Sequence, residues 1–143
     1  MTTGTLPRRW SEEIDGIRWL PRLIDKVRMR ERGELGAYLV GHSPVDAAFL
    51  NRVGLTTEEF VALVGTESGD AGVLAALRAR GFDEERLRRW SERFPQTYKT
   101  YIALWDLDEG YRTPSAFERV ALAAFKPVEG AAMALVRRVR RAP

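Results

Sequence analysis

The chain has no cysteine among its 143 residues. That absence excludes disulfides, thiolate nucleophiles, zinc–thiolate sites and iron–sulfur ligation together. Histidine is almost as scarce: His42 is the only one, so no multi-histidine metal site can form. No apolar run approaches the ~18 residues that a membrane-crossing helix needs. Residues 1–10 also lack the apolar middle of a secretory signal, so a cytoplasmic protein is expected. Lysine is rare too, since 20 of the 23 basic residues are arginine. Base composition of the genome explains such a bias as readily as ligand recognition does, which makes the basic pI a weak argument for nucleic acid.

What is present suits a single helical domain over residues 1–143. Hydrophobic residues make up 45% and charged residues 30%, enough for a core without metals or disulfides. The net charge of +3 is unevenly spread. Residues 1–110 hold 16 basic against 18 acidic side chains, whereas residues 111–143 hold 7 against 2.

Helical periodicity dominates the pattern. Leu20, Leu23, Ile24 and Val27 recur at i, i+3, i+4 and i+7, and Pro21 suits a first turn, so a central helix over Leu20–Arg32 is expected, closed by Gly33. Arg22, Asp25, Lys26 and Arg28 fall off that stripe. Ser11-Glu12-Glu13-Ile14 has the chemistry of a short preceding helix. Ser43-Pro44, the capping box Thr56-Thr57-Glu58-Glu59, Asp70 and Asp83 start further helices, with Pro95 bending or restarting the chain. Tyr98, Tyr101, Ile102 and Trp105 form a second strong stripe. Thr113-Pro114 opens another helix, and Met133, Val136 and Val139 mark a last one. The fold class is all-α: about seven to nine short helices in an irregular bundle.

Trp19-Leu20-Pro21-Arg22-Leu23-Ile24-Asp25-Lys26 resembles the opening motif of a bacterial family known as domain of unknown function 5069. Asp46-Ala47-Ala48-Phe49-Leu50 with Gly54, Thr57-Glu58-Glu59-Phe60, and Trp105-Asp106-Leu107-Asp108 follow in the matching order. The resemblance covers roughly residues 9–110, and residues 111–143 form a basic helical extension beyond it. It implies an all-α domain and carries over no catalytic residues.

Several groups are candidates for chemistry, each with an ordinary alternative. Arg22, Asp25 and Lys26 are a charged constellation able to line a cleft for an anionic ligand, or a solvated ion pair. Asp106, Asp108 and Glu109 oppose the dipole at a helix C-terminus, which oxygen-bound metal or Arg112 would offset. His42 beside Ser43 is not a triad, because adjacency is not geometry. Gly65 to Asp70 lacks a P-loop lysine and reads as a connection. Trp90, Phe94, Tyr98, Tyr101 and Trp105 have core spacing rather than that of a stacking platform.

The leading expectation is a non-enzymatic binding or interaction module with no cofactor and no metal, whose partner is unknown, a protein or a second copy of the chain being candidates. The rival is an enzyme or small-molecule binder with a pocket between the central and aromatic helices, using Arg22, Asp25, Lys26, Trp105, Asp106 and Asp108. A further alternative is nucleic-acid binding through Arg137, Arg138, Arg140 and Arg141.

Overall fold

The structure, a computed structural model, describes residues 6–113, 115–117 and 119–120. The chain divides into two compact units, residues 1–105 and 106–143. Among the described residues there are six helices and one small hairpin. The all-α class therefore holds, with fewer helices than expected. The helix expected from Met133 onward, and with it Arg137, Arg138, Arg140 and Arg141, lies outside the described residues. Of the one expected after Thr113, a helical turn is described, in which the Arg119 amide donates to the Ser115 carbonyl (2.9 Å).

The first unit begins with an antiparallel hairpin, β1 (Glu13–Ile14) and β2 (Ile17–Arg18), in which Ile14 faces Ile17 and Glu13 faces Arg18. This replaces the short helix expected after Ser11. The reason is the Asp15-Gly16 turn: both residues have positive φ, 53° and 78°, the combination that matches the twist of a two-residue hairpin.

Helix α1 (Leu20–Glu31) follows at once and is the centre of the core. Leu20, Leu23, Ile24 and Val27 are wholly buried. Its end is a glycine-closed turn: Gly33, at φ 70°, lets the amides of Gly33 and Glu34 reach the carbonyls of Arg30 (3.1 Å) and Met29 (2.8 Å). A loop leads to α2 (Pro44–Val53), where Ser43 accepts the Asp46 amide as N-cap. In α3 (Thr57–Thr66) the capping box forms as read, with both Thr56 and Glu59 side chains bonded to backbone.

Helix α4 (Asp70–Arg80) takes Gly69, not Asp70, as its N-cap, because the Asp70 carboxylate is engaged elsewhere. Helix α5 (Glu84–Thr97) is capped by Asp83 and runs through Pro95 without restarting. Pro95 sits in the last turn, where one lost hydrogen bond costs least. Helix α6 (Lys99–Asp108) completes the order. Trp19, Phe49, Phe60, Trp90 and Phe94 tie α1, α2, α3 and α5 into one aromatic core through ring contacts of 4.9–6.3 Å.

Candidate functional site: a buried charge cluster on α1

Two of the polar side chains on α1 are buried, against expectation. Arg22 is 1% exposed and Lys26 3%, although both lie off the apolar stripe. The central helix is enclosed on more sides than its four-residue stripe requires. Charges so placed need partners, since an unpaired buried ion costs several kcal/mol.

Lys26 finds Asp46. Its Nζ lies 2.7 Å from a carboxylate oxygen that is itself entirely buried. The same carboxylate accepts the Trp19 indole N–H at 2.8 Å and the Gly41 amide at 2.9 Å. Local sequence explains the delivery. Asp46 occupies the third position of α2, its own amide held by Ser43 Oγ at 3.1 Å, so the positive end of that helix also favours its charge. Gly41 has φ 78°, and a Cβ there would run into the Thr57 side chain, so only glycine brings this amide to Asp46.

Arg22 is held by rings. Its guanidinium carbon sits 5.4 Å from the Trp19 centroid, 5.6 Å from Tyr38 and 5.5 Å from Trp105. Cation–π attraction of about 2 kcal/mol applies where the charge is desolvated, as here. Arg22 Nη1 also donates to the Arg8 carbonyl at 3.2 Å. Trp19 is the hub: it caps α1 at φ 74°, a left-handed value that is a true outlier for so large a side chain. Strain of about 1–3 kcal/mol is tolerated because the surroundings over-determine the ring. Asp46, Arg22, Lys26, Phe94 and Trp105 all bear on it.

Asp25 belongs to a different cluster. It is half-buried and receives Arg8 through both the backbone amide (2.8 Å) and the guanidinium (2.9 and 3.0 Å). Arg8 continues to Asp70, at 2.5 and 3.0 Å, with Arg28 Nη1 3.8 Å from the same carboxylate. The bond from Asp70, assisted by Asp25, holds the Arg8 guanidinium above its ordinary pKa. Arg8 in turn holds the Asp70 carboxyl below the usual carboxylate range. The segment before the hairpin is thus clasped to α1 and α4 at once.

Of the residues expected to form a site, Arg22, Lys26 and Trp105 meet around Trp19, and Asp25 turns away from them. Asp106 and Asp108 belong to the second unit, in the last turn of α6, where the Tyr111 and Arg112 amides close the helix on the Asp106 carbonyl (2.8 and 3.2 Å). Among the described residues, no group of three or more His, Asp or Glu side chains is placed to hold a metal. Asp46, Gly41, Tyr38 and Arg8 were not legible as partners. The one available signal was an acid at a helix N-terminus amid Val45, Phe49 and Leu50, a run otherwise bound for the core.

Two hollows border the Arg8 cluster. One, of about 230 Å³, is lined by Leu6, Asp25, Arg28, Met29 and Arg32. The other, of about 420 Å³, is an open groove bordered by Glu13, Asp15, Asp70 and Arg78 together with apolar groups.

Fold and cluster together define a small helical domain whose central helix carries buried cations satisfied by one carboxylate and a ring of aromatics. The chain belongs to the family described as Domain of unknown function (DUF5069), which matches residues 4–100. The match takes in the Arg8 clasp and α1 to α5 but ends before Trp105-Asp106-Leu107-Asp108. No curated protein and no solved structure matches the chain. Among the described residues, no helix is long and apolar enough to cross a membrane.

Proposed function

We propose that this chain is a non-enzymatic helical binding module that acts through its surface. The observation that supports this most directly is the closed state of the Lys26–Asp46 pair. Asp46 is fully buried and takes three donors, from Lys26, Trp19 and Gly41. A catalytic acid or base must reach a substrate proton within hydrogen-bond distance. This pair instead braces α1 against α2.

The competing reading, a small-molecule binder near Asp25, draws on the hollow beside it, where Arg28 and Arg32 would face an anion. Its volume, about 230 Å³, is below the roughly 300–1,000 Å³ of ordinary ligand sites. A thermal-shift screen separates the two, because any ligand of the native state raises the melting temperature by mass action. The module reading expects no shift from metabolites at millimolar concentration. A metabolite that stabilises wild type but not Asp25→Asn would move the function to that hollow.

A further inference from the structure

Around α5, at 100° per residue, the side chains follow the order Glu92, Glu85, Arg89, Arg93, Arg86, Trp90, Phe94 and Leu87. Trp90, Phe94 and Leu87 face the core, and on the far flank Ser91 receives the Arg18 amide of the hairpin (2.6 Å). Arg86 and Arg93 therefore form a row at the exposed edge, seven residues and about 10 Å apart along the axis.

No carboxylate among the described residues pairs with either. The acids of α5 nearest in sequence are taken: Glu84 by Arg78 at 2.7 Å, Glu85 by Arg89 at 3.8 Å, and Asp83 by the Arg86 amide. Only Glu92 is exposed and outside these pairs, and it lies across the Arg89 row.

A third cation joins from the neighbouring helix. Arg52 of α2 lies with its guanidinium carbon 5.4 Å from the Trp90 centroid, and Nη1 donates to the Ala48 carbonyl at 2.9 Å. Trp90 stands four residues after Arg86 and three before Arg93, so the Arg52 charge is set beside the middle of the row. The exposed positions of α2 include Ala47 and Asn51, and its single acid, Asp46, is buried. The face shared by α2 and α5 thus carries Arg52, held on Trp90, beside two exposed arginines, and the acid next to them, Asp83, caps the helix through the Arg86 amide.

We propose that Arg52, Arg86 and Arg93 form a docking surface for the phosphate backbone of duplex nucleic acid, an inference that rests on the binding-module reading. The guanidinium fork matches phosphate geometry better than a lysine ammonium does. Stacking of single-stranded bases needs exposed rings, and here Trp90 is 8% exposed and Phe94 1%. Insertion into a bilayer needs exposed apolar side chains, yet the exposed large hydrophobics described, Leu6, Tyr101, Tyr111, Phe117 and Val120, all lie off α2 and α5. What remains is charge recognition without base contacts.

The test uses the full chain and a short random-sequence DNA duplex, titrated over a range of salt. Wild type should bind with an affinity that falls steeply as salt rises. Arg86→Gln/Arg93→Gln should keep the wild-type melting temperature while the slope of log K against log salt drops by about 2, one for each lost phosphate contact. Arg52→Lys should bind more weakly than wild type, because an ammonium keeps the charge but not the fork, and Arg52→Gln should bind more weakly still.

Three outcomes would overturn the proposal. One is a slope untouched in the α5 double variant but lost in Arg137→Gln/Arg138→Gln/Arg140→Gln/Arg141→Gln. Another is polyglutamate binding as tight as duplex binding, which would assign the face to an acidic protein. The third is no salt-sensitive duplex binding at low ionic strength. None of the three touches the module reading, which the metabolite screen decides separately.

Discussion

Replacing Lys26 by methionine leaves the Asp46 carboxylate buried with two neutral donors and no counter-charge. Lys26→Met is therefore expected to destabilise by about 3–5 kcal/mol, the range for breaking one side of a buried pair. Neutralising the partner as well removes the stranded charge, so Lys26→Met/Asp46→Asn should lose less than Lys26→Met alone. Urea melts of the singles and the double check this. Additive losses would mean that the two charges do not depend on each other. The burial of Lys26 was hidden in the sequence for a physical reason. A helical wheel places it beside polar neighbours, and its partner lies 20 residues away on a helix whose orientation no local pattern encodes. Arg22 was hidden likewise, because Tyr38 and Trp105 come from the loop after α1 and from α6.

Helices were read well where caps and stripes agreed. Ser43, Thr56 and Asp83 cap as expected, and the Leu20–Val27 stripe is buried. Leu23→Ala should cost about 2–5 kcal/mol, and a loss under ~1 kcal/mol in denaturant melts would remove α1 from the centre of the core. The hairpin was missed because Ser11 and two glutamates imitate a helix start, although Asp15-Gly16 carried the stronger turn signal. Pro95 does not restart the chain, since position within the helix decides its cost. The clasp between elements makes a claim about pH. Because Arg8 lowers the folded pKa of Asp70, their contact stabilises fully above about pH 4 and is lost as pH falls through the depressed value, while Arg8 stays charged throughout. Both side chains are about a third exposed, so the effect should stay under ~1 kcal/mol. Arg8→Gln should flatten the acid limb of a stability–pH profile below pH ~4. An acid limb as steep as that of wild type would show that the clasp does not set it.

Residues 6–105 are held by ties between distant parts of the chain: Arg8 to Asp70, the Arg18 amide to Ser91, Lys26 to Asp46. The two-residue strands of the hairpin are too short to contribute a sheet signal. Far-UV circular dichroism should therefore show a helical spectrum with strand content far below the ~20–25% of average proteins. Strand content near that average would contradict the fold. One of these ties also labels a single atom pair for observation in solution. The Gly41 amide belongs to a connecting segment, where N–H groups usually trade their hydrogen for deuterium quickly. This one is buried and donates to the Asp46 carboxylate, which Lys26 and Trp19 also hold, so it exchanges only when that buried cluster opens. In deuterated solvent its resonance should persist as long as those of Leu23 and Ile24, while the signals of its exposed neighbours Gly36 and Ala37 vanish early.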